Sequence, residues 1–196
     1  MLEGEMTVRV IGFRDSYTPD EVIVNTTSRS PDPWSKGLSP FFLGPIPLYD
    51  GMISQNLENA WQYSKVYAEY LDSEGNPSPE YFEWAKAGWA KKEAVRYPMG
   101  KGAKPSFSWW EGKPLPYIEA RKKIYIPLYA HAVVKTQAFE ILKQRYIENK
   151  YQITLWDFDG YDHRSLGMSW SDVIHNDQRS MGDAFVIAML LEKLIL

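Results

Sequence analysis

Three polar side chains at helical spacing are the most informative feature of the sequence. Glu58, Gln62 and Lys65 lie within Asn56-Leu-Glu-Asn-Ala-Trp-Gln-Tyr-Ser-Lys65. At about 100° per residue, a helix places all three on one stripe. A carboxylate, an amide and an ammonium beside Trp61 suit a pocket for a polar, anionic, ring-bearing small molecule. The same spacing is typical of a solvent-facing helix surface, which is the alternative interpretation.

A second acidic group follows the most regular strand pattern in the chain. Residues 151–158 alternate in polarity and lead into Trp156-Asp157-Phe158-Asp159-Gly160. This Asp-x-Asp spacing resembles the nucleophile loop of haloacid-dehalogenase-like phosphatases, in which the first carboxylate attacks phosphorus. That family needs Thr or Val after the second Asp, whereas Gly160 stands here.

Motifs for metal ions and large cofactors do not match. The three His residues lack the two-His zinc spacing, and the carboxylates around Asp159 lack the order of a calcium loop. Neither the P-loop pattern nor the glycine pattern of dinucleotide folds occurs. We therefore predict no metal and no cofactor.

Composition indicates a cytoplasmic protein with one core. A chain of 196 residues without linker-like composition predicts one domain over residues 1–196. The absence of Cys excludes disulfides, and no basic-then-apolar leader opens the chain. No apolar run reaches the roughly 18 residues that a membrane helix needs.

Charge is unevenly distributed along the chain. The net charge is -3, yet residues 86–123 hold ten basic and three acidic side chains. That segment is therefore +7 and the remainder -10. Gathered on one surface, these cations would attract a phosphate-bearing ligand or a nucleic acid. Solvated helix faces are the alternative interpretation.

Hydrophobic periodicity predicts an α+β fold, mostly helical with a small sheet. Two N-terminal strands fall within residues 1–25, followed by an irregular loop over 26–51 and the strand over 151–158. The predicted helices cover 56–71, 78–96, 117–149 with a kink or break at Pro127, and 181–194.

Taken together, these motifs resemble the NADAR (YbiA-like) family over residues 37–195. Gly37-Leu-Ser-Pro-Phe-Phe-Leu-Gly-Pro-Ile46 looks like the family's early Leu-Ser-Asn-Phe loop, and Glu58, Gln62 and Lys65 are similar to its Glu-His-x-x-Gln-x-x-Lys helix. Gly100-Lys101, Trp110 and the Trp156–Gly160 segment look like further family positions. Asn59 stands where the family has His, and Pro40 where it has Asn.

The resemblance implies an N-glycosidase that hydrolyses the bond between ribose C1 and a nitrogen. Its substrate would be an ADP-ribosyl or related nucleotide, free or on a modified nucleic acid, and its transition state would have oxocarbenium character, which needs an anion near the sugar. Glu58 is the predicted carboxylate. The other predicted catalytic residues are Lys65, Asp157 and Asp159. The predicted substrate-binding residues are Trp61, Gln62, Lys101, Trp110, Trp156, Gly160, Phe41 and Arg29.

Two other functions remain open at this point. A non-catalytic protein could use the same pocket to bind a nucleotide or a modified base, because the family His is replaced by Asn59. A nucleic-acid-binding protein could use residues 86–123, and its affinity would fall steeply with salt.

Overall fold

A computed structural model describes residues 7–195. It has eight strands in this range: β1 Thr7–Ile11, β2 Ile23–Asn25, β3 Ile46–Pro47, β4 Ile53–Ser54, β5 Lys65–Val66, β6 Phe107–Trp110, β7 Lys113–Leu115 and β8 Gln152–Trp156. Its α-helices are α1 Leu57–Gln62, α2 Pro79–Trp89, α3 Tyr117–Ala120, α4 Ile126–Val133, α5 Gln137–Glu148, α6 Trp170–His175 and α7 Asp183–Leu191. About 38% of the chain is helical and 15% strand, so the predicted α+β class with more helix than strand is confirmed.

The chain divides into two compact units. Residues 40–128 form the central unit, and the segments on either side, up to Ser39 and from Tyr129, form the terminal unit. The prediction of one domain over residues 1–196 stays a prediction, and its residues 1–6 and 196 lie outside the described residues.

A parallel sheet organises the terminal unit. Its strand order is β1-β8-β2, and both outer strands run parallel to β8. Because β8 is the middle strand, Ile153, Thr154 and Leu155 are all buried, and α7 supplies a nearly continuous buried surface beside the sheet. The carboxyl ends of the three strands therefore meet at one edge.

Two small antiparallel sheets belong to the central unit. One pairs β3 with β4, and the other has the order β5-β6-β7. An apolar cluster joins α2 to the β5-β6-β7 sheet, and it consists of Tyr63, Val66, Tyr81, Ala85 and Trp89. Gly88 is required there, because a Cβ at this position would lie 2.0 Å from the Tyr63 ring.

The helix predicted over residues 56–71 is wrong beyond Gln62. Helix α1 ends there, and Lys65 enters β5 opposite Ser108. The buried Tyr81 hydroxyl donates to the carbonyls of Tyr63 and Ser64, and the Trp109 amide also donates to Ser64. Since these carbonyls are taken by tertiary partners, the helix does not continue.

Two other helices were also predicted to be longer than they are. Helix α2 ends at Trp89 rather than residue 96. The helix predicted over 117–149 is three helices and a π-helical turn, Arg121–Tyr125, just before Pro127. Pro127 has no N–H to donate, which favours such a shift in hydrogen bonding. The break before α5 comes at Thr136, whose hydroxyl caps that helix.

The remaining boundaries differ by a few residues or by short elements. The first of the strands predicted within residues 1–25 begins at Thr7 among the described residues. The last helix spans Asp183–Leu191 instead of 181–194. The loop over 26–51 contains two 3-10 turns and β3, and the loop after β8 contains α6. A Ser169–Asp172 capping box starts α6.

Candidate functional site

The predicted polar triad forms a hydrogen-bonded chain in the central unit. Gln62 Nε2 donates to Glu58 Oε1 over 3.0 Å, and Lys65 Nζ donates to Gln62 Oε1 over 2.8 Å. Glu58 is only 6% exposed and Gln62 8%. The interpretation of these residues as a solvated helix face is therefore wrong. We call Glu58, Gln62 and Lys65 the acidic chain.

The early loop holds the start of α1. The Leu43 and Pro40 carbonyls accept from the Leu57 and Glu58 amides over 2.8 and 3.0 Å, and the Asn56 side chain accepts from the Asn59 amide. These bonds satisfy the amides that a helix leaves free in its first turn. They also fix the backbone of Glu58. The loop includes Phe41, which is partly buried.

The surroundings of Lys65 disfavour its protonated form. Burial lowers the pKa of Lys65 to about 8, with the Arg96 cation acting in the same direction and Glu58 opposing both. Its ammonium lies 4.9 Å from the centre of the Trp61 ring. A lysine pKa near 8 lies in the range that suits catalysis, because the protonated and neutral forms are then both accessible.

Asn59 is a buried clamp that the sequence patterns did not identify. Its side-chain amide donates to the Lys91 and Glu93 carbonyls over 3.0 and 2.9 Å and accepts from the Val95 amide over 2.8 Å. These three bonds fix the segment that leads to Arg96. A histidine ring has only two nitrogens, so it could not make the same three bonds.

Two of the predicted substrate-binding residues, Trp61 and Trp110, share an apolar cluster. Trp61 and Trp110 both pack against the cluster of Leu115, Ala120 and Ile124. Trp61 also contacts the ring of Tyr125 at 5.4 Å between centroids. Tyr125 closes the π-helical turn, and it is an aromatic neighbour of Trp61 that the sequence analysis missed.

Lys101 stands apart from this group as an exposed residue. It lies between Gly100 and Gly102, whose φ angles of 92° and 89° favour glycine.

Residues 86–123 do not all contribute to a basic surface. Arg121 is 2% exposed, and both Lys122 and Lys123 pair with Glu119.

The terminal unit holds a second buried acidic site at the end of β8. Asp157 is 4% exposed and Asp183, at the start of α7, is 6% exposed. Burial, followed by the Asp159 charge, raises the pKa of Asp157, although the Ala184 and Asp159 amides donate to its carboxyl group. Burial and then the Asp157 charge raise the pKa of Asp183 well above its usual value. We call Asp157 and Asp183 the carboxyl pair.

The surroundings of the carboxyl pair are closely packed. A Cβ on Gly182 would lie 1.8 Å from Asp157 Oδ2. Thr26 is hydrogen-bonded to Asp183, and the Tyr129 hydroxyl lies 3.5 Å from Asp183 Oδ2. Two carboxyl groups this buried are most stable when they share a proton. Asp183 was not among the predicted site residues, because a single Asp at a helix start carries no special pattern.

The other predicted residues of the terminal unit lie near the carboxyl edge of the sheet. Trp156 contacts the ring of Phe158 at 5.1 Å, and the exposed Arg29 guanidinium lies 5.7 Å from that ring's centre. Asp159 is partly buried. Gly160 packs against the end of β1, because a Cβ on Gly12 would lie 2.1 Å from the Gly160 carbonyl oxygen and a Cβ on Gly160 would lie 2.2 Å from that of Ile11.

No group of three or more His, Cys, Asp or Glu residues among 7–195 is placed to hold a metal ion. Within that range, no helix combines the length and the apolar character needed to cross a membrane.

The sequence of this α+β protein matches a family model. A family model described as a family of unknown function, DUF6939, matches residues 9–171, so the chain belongs to that family. No curated protein and no solved structure matches the chain. The NADAR resemblance and the roles that it implies stay predictions.

Proposed function

We propose that the protein is an N-glycosidase that hydrolyses the bond between ribose C1 and a nitrogen in an ADP-ribosyl or related nucleotide. The observation that carries this proposal is the burial of Glu58 within a hydrogen-bonded chain beside Trp61. A carboxylate sheltered from water stabilises a developing sugar cation far better than an exposed one. The reaction would take place in the cytoplasm, which the absence of cysteine supports.

The proposed step is a displacement at C1. The C1–N bond breaks and its electron pair leaves with the base, which takes a proton from solvent. A water oxygen bonds to C1 and loses its proton to Glu58. Gln62 holds Glu58 in place, and protonated Lys65 binds a sugar hydroxyl or a phosphate oxygen of the substrate.

Aromatic residues of the same unit would bind the base. Trp61 and Trp110 share one apolar cluster, and Tyr125 packs on Trp61. Stacking of a base on such rings contributes about 1–3 kcal/mol. The roles predicted for Phe41 and Lys101 of this unit remain part of the proposal. Those predicted for Arg29, Trp156, Asp157, Asp159 and Gly160, which belong to the terminal unit, stay predictions.

Replacing Glu58 with Gln tests the catalytic role. The amide keeps the shape of the side chain and still accepts from Gln62, but it cannot take a proton. With NAD and N-ADP-ribosylated guanine as substrates, the rate at which free base is released should fall about 1000-fold. Chromatography measures this rate. The melting temperature should change little. Unchanged release of base by E58Q would refute the assignment.

A non-catalytic binding protein is the second candidate. It is favoured by Asn59, whose side-chain amide is fully used in holding the backbone and cannot assist a reaction. Calorimetric titration with ADP-ribose, combined with product analysis of NAD, separates the two functions. Tight binding without any released base over long incubation would favour the binding protein.

A further inference from the structure

An open cleft in the central unit lies outside the acidic chain. Its volume is about 400 Å³, which is within the range of small-molecule sites. Tyr49, Phe82 and Trp109 provide aromatic walls and Met52 adds a thioether. Glu58, Gln62 and Lys65 do not line it.

The aromatic walls are held rigid by neighbouring rings. Tyr49 packs edge-on against Trp110 at 4.9 Å and against Trp89 at 6.2 Å. Phe82 packs edge-on against Trp109 at 6.3 Å. Walls that are already fixed lose little side-chain entropy when a ring binds, so the cleft is organised for a planar ligand.

Opposite charges lie at the cleft. Lys86 follows Phe82 by one turn of α2, and Asp50 belongs to the turn after β3. The Lys86 ammonium pairs with Glu83 only at 4.0 Å, and both side chains are more than half exposed. Such a pair contributes little, so the ammonium is available to an acidic group on a ligand.

A buried polar atom in the wall also lacks a partner. The Tyr49 hydroxyl is buried without a hydrogen bond within the described chain. Burial, together with the nearby Asp50 charge, raises the pKa of Tyr49 to about 12. The phenol therefore stays neutral, so Tyr49 adds no charge to the cleft.

We propose that this cleft binds a small planar aromatic anion, with its ring against Tyr49, Phe82 and Trp109 and its acidic group on Lys86. Asp50 repels the acidic group and so fixes the orientation of the ligand. This site shares no lining residue with the acidic chain, and its one link to the proposed base-binding residues is Trp110, which packs against Tyr49.

Calorimetric titration with three matched probes tests the ligand class. Indole-3-acetate, indole and tryptamine share one ring system and differ in charge. Indole-3-acetate should bind with a Kd at or below about 1 mM, and at least about tenfold more tightly than the other two. Equal binding of all three, tighter binding of tryptamine, or no saturation by indole-3-acetate would overturn the proposal.

A charge reversal tests the position. Lys86→Glu should weaken indole-3-acetate at least about tenfold and strengthen tryptamine. Lys92→Glu is the matched control, since Lys92 is exposed and does not line the cleft. Glu58→Gln should bind indole-3-acetate like the wild type, which separates this site from the proposed active site. If Lys86→Glu folds and keeps wild-type affinity, the cleft is not the site.

Discussion

Glu58 in the central unit and Asp157 in the terminal unit are both buried carboxyl groups, but their polar neighbours differ. Glu58 accepts from the Gln62 amide, which in turn accepts from the Lys65 ammonium. Asp157 instead lies against a second carboxyl group, that of Asp183. The acidic chain thus brings the positive charge of Lys65 toward Glu58, whereas the second carboxyl group favours a bound proton in the carboxyl pair. The neighbours, and not the residue type, therefore decide which carboxyl group suits a reaction through a sugar cation.

Removing the Asn59 clamp should have the largest effect on stability. Asn59→Ala leaves the Lys91 and Glu93 carbonyls and the Val95 amide without their side-chain partner. We expect a loss of about 3 kcal/mol in the free energy of unfolding, measured by urea denaturation. Because Arg96 would no longer be held, the pKa of Lys65 should also rise. A loss below about 1 kcal/mol would mean that the clamp is unimportant.

Gln62→Glu would turn the acidic chain into a second carboxyl pair. The new carboxyl group would pair with the Lys65 ammonium but leave Glu58 without its donor. With two carboxyl groups and one ammonium in this place, one carboxyl group should take up a proton or the protein should lose about 2 kcal/mol of stability at pH 8. The loss should be smaller at pH 5, where the proton is easily supplied.

An exposed pair of the same geometry provides the control for Gln62→Glu. Gln144 donates to Glu148 over 3.0 Å, also four residues apart. Gln144→Glu should change stability by less than about 0.5 kcal/mol at either pH. If both variants behave alike, burial is not what distinguishes the acidic chain.

Asp183→Asn is the reverse change, since it gives the carboxyl pair an amide. A carboxyl group whose folded pKa is raised stabilises at low pH, and this contribution is lost as pH increases through the folded pKa. The variant should therefore gain about 1 kcal/mol over the wild type at pH 8 and nothing at pH 4. Denaturation curves across this range measure the difference.

Asp162 provides a control of opposite sign. Burial is the largest single effect and acts against its charged form, but the hydrogen bonds from Arg9 and Ser165, with the Arg9 charge, together outweigh it and lower the pKa of Asp162. Its contribution is present at neutral pH and lost as pH falls. Asp162→Asn should thus lose stability at pH 8, where Asp183→Asn gains it. Two shifts of the same sign would contradict the proton-sharing pair.

The pH dependence of turnover tests the role of Lys65. Because the pKa of Lys65 is about 8, its ammonium loses its proton above that pH. If protonated Lys65 binds the substrate, kcat/KM for base release should fall about tenfold per pH unit above 8. Lys65→Arg should keep its charge and extend activity to higher pH. A flat profile up to pH 10 would exclude this role for Lys65.

Sequence patterns located the polar groups better than they located the elements. The helix start at Asn56 and the proline after Ser78 followed local capping rules, and both helices begin there. The end of α1 depended on Tyr81, which is distant in sequence and takes the Tyr63 and Ser64 carbonyls. Local patterns contain no information about such a partner.

By itself, the sequence determined the α+β class, the order of the main elements and the Glu58–Gln62 spacing. Those features depend on local periodicity and on one helical turn. Only the tertiary structure decided that Glu58 is buried, that Lys65 reaches Gln62 from a strand, and that Asp183 lies against Asp157. Burial and charge pairing are set by residues far apart in the chain, and these two factors determine the chemistry of a carboxyl group.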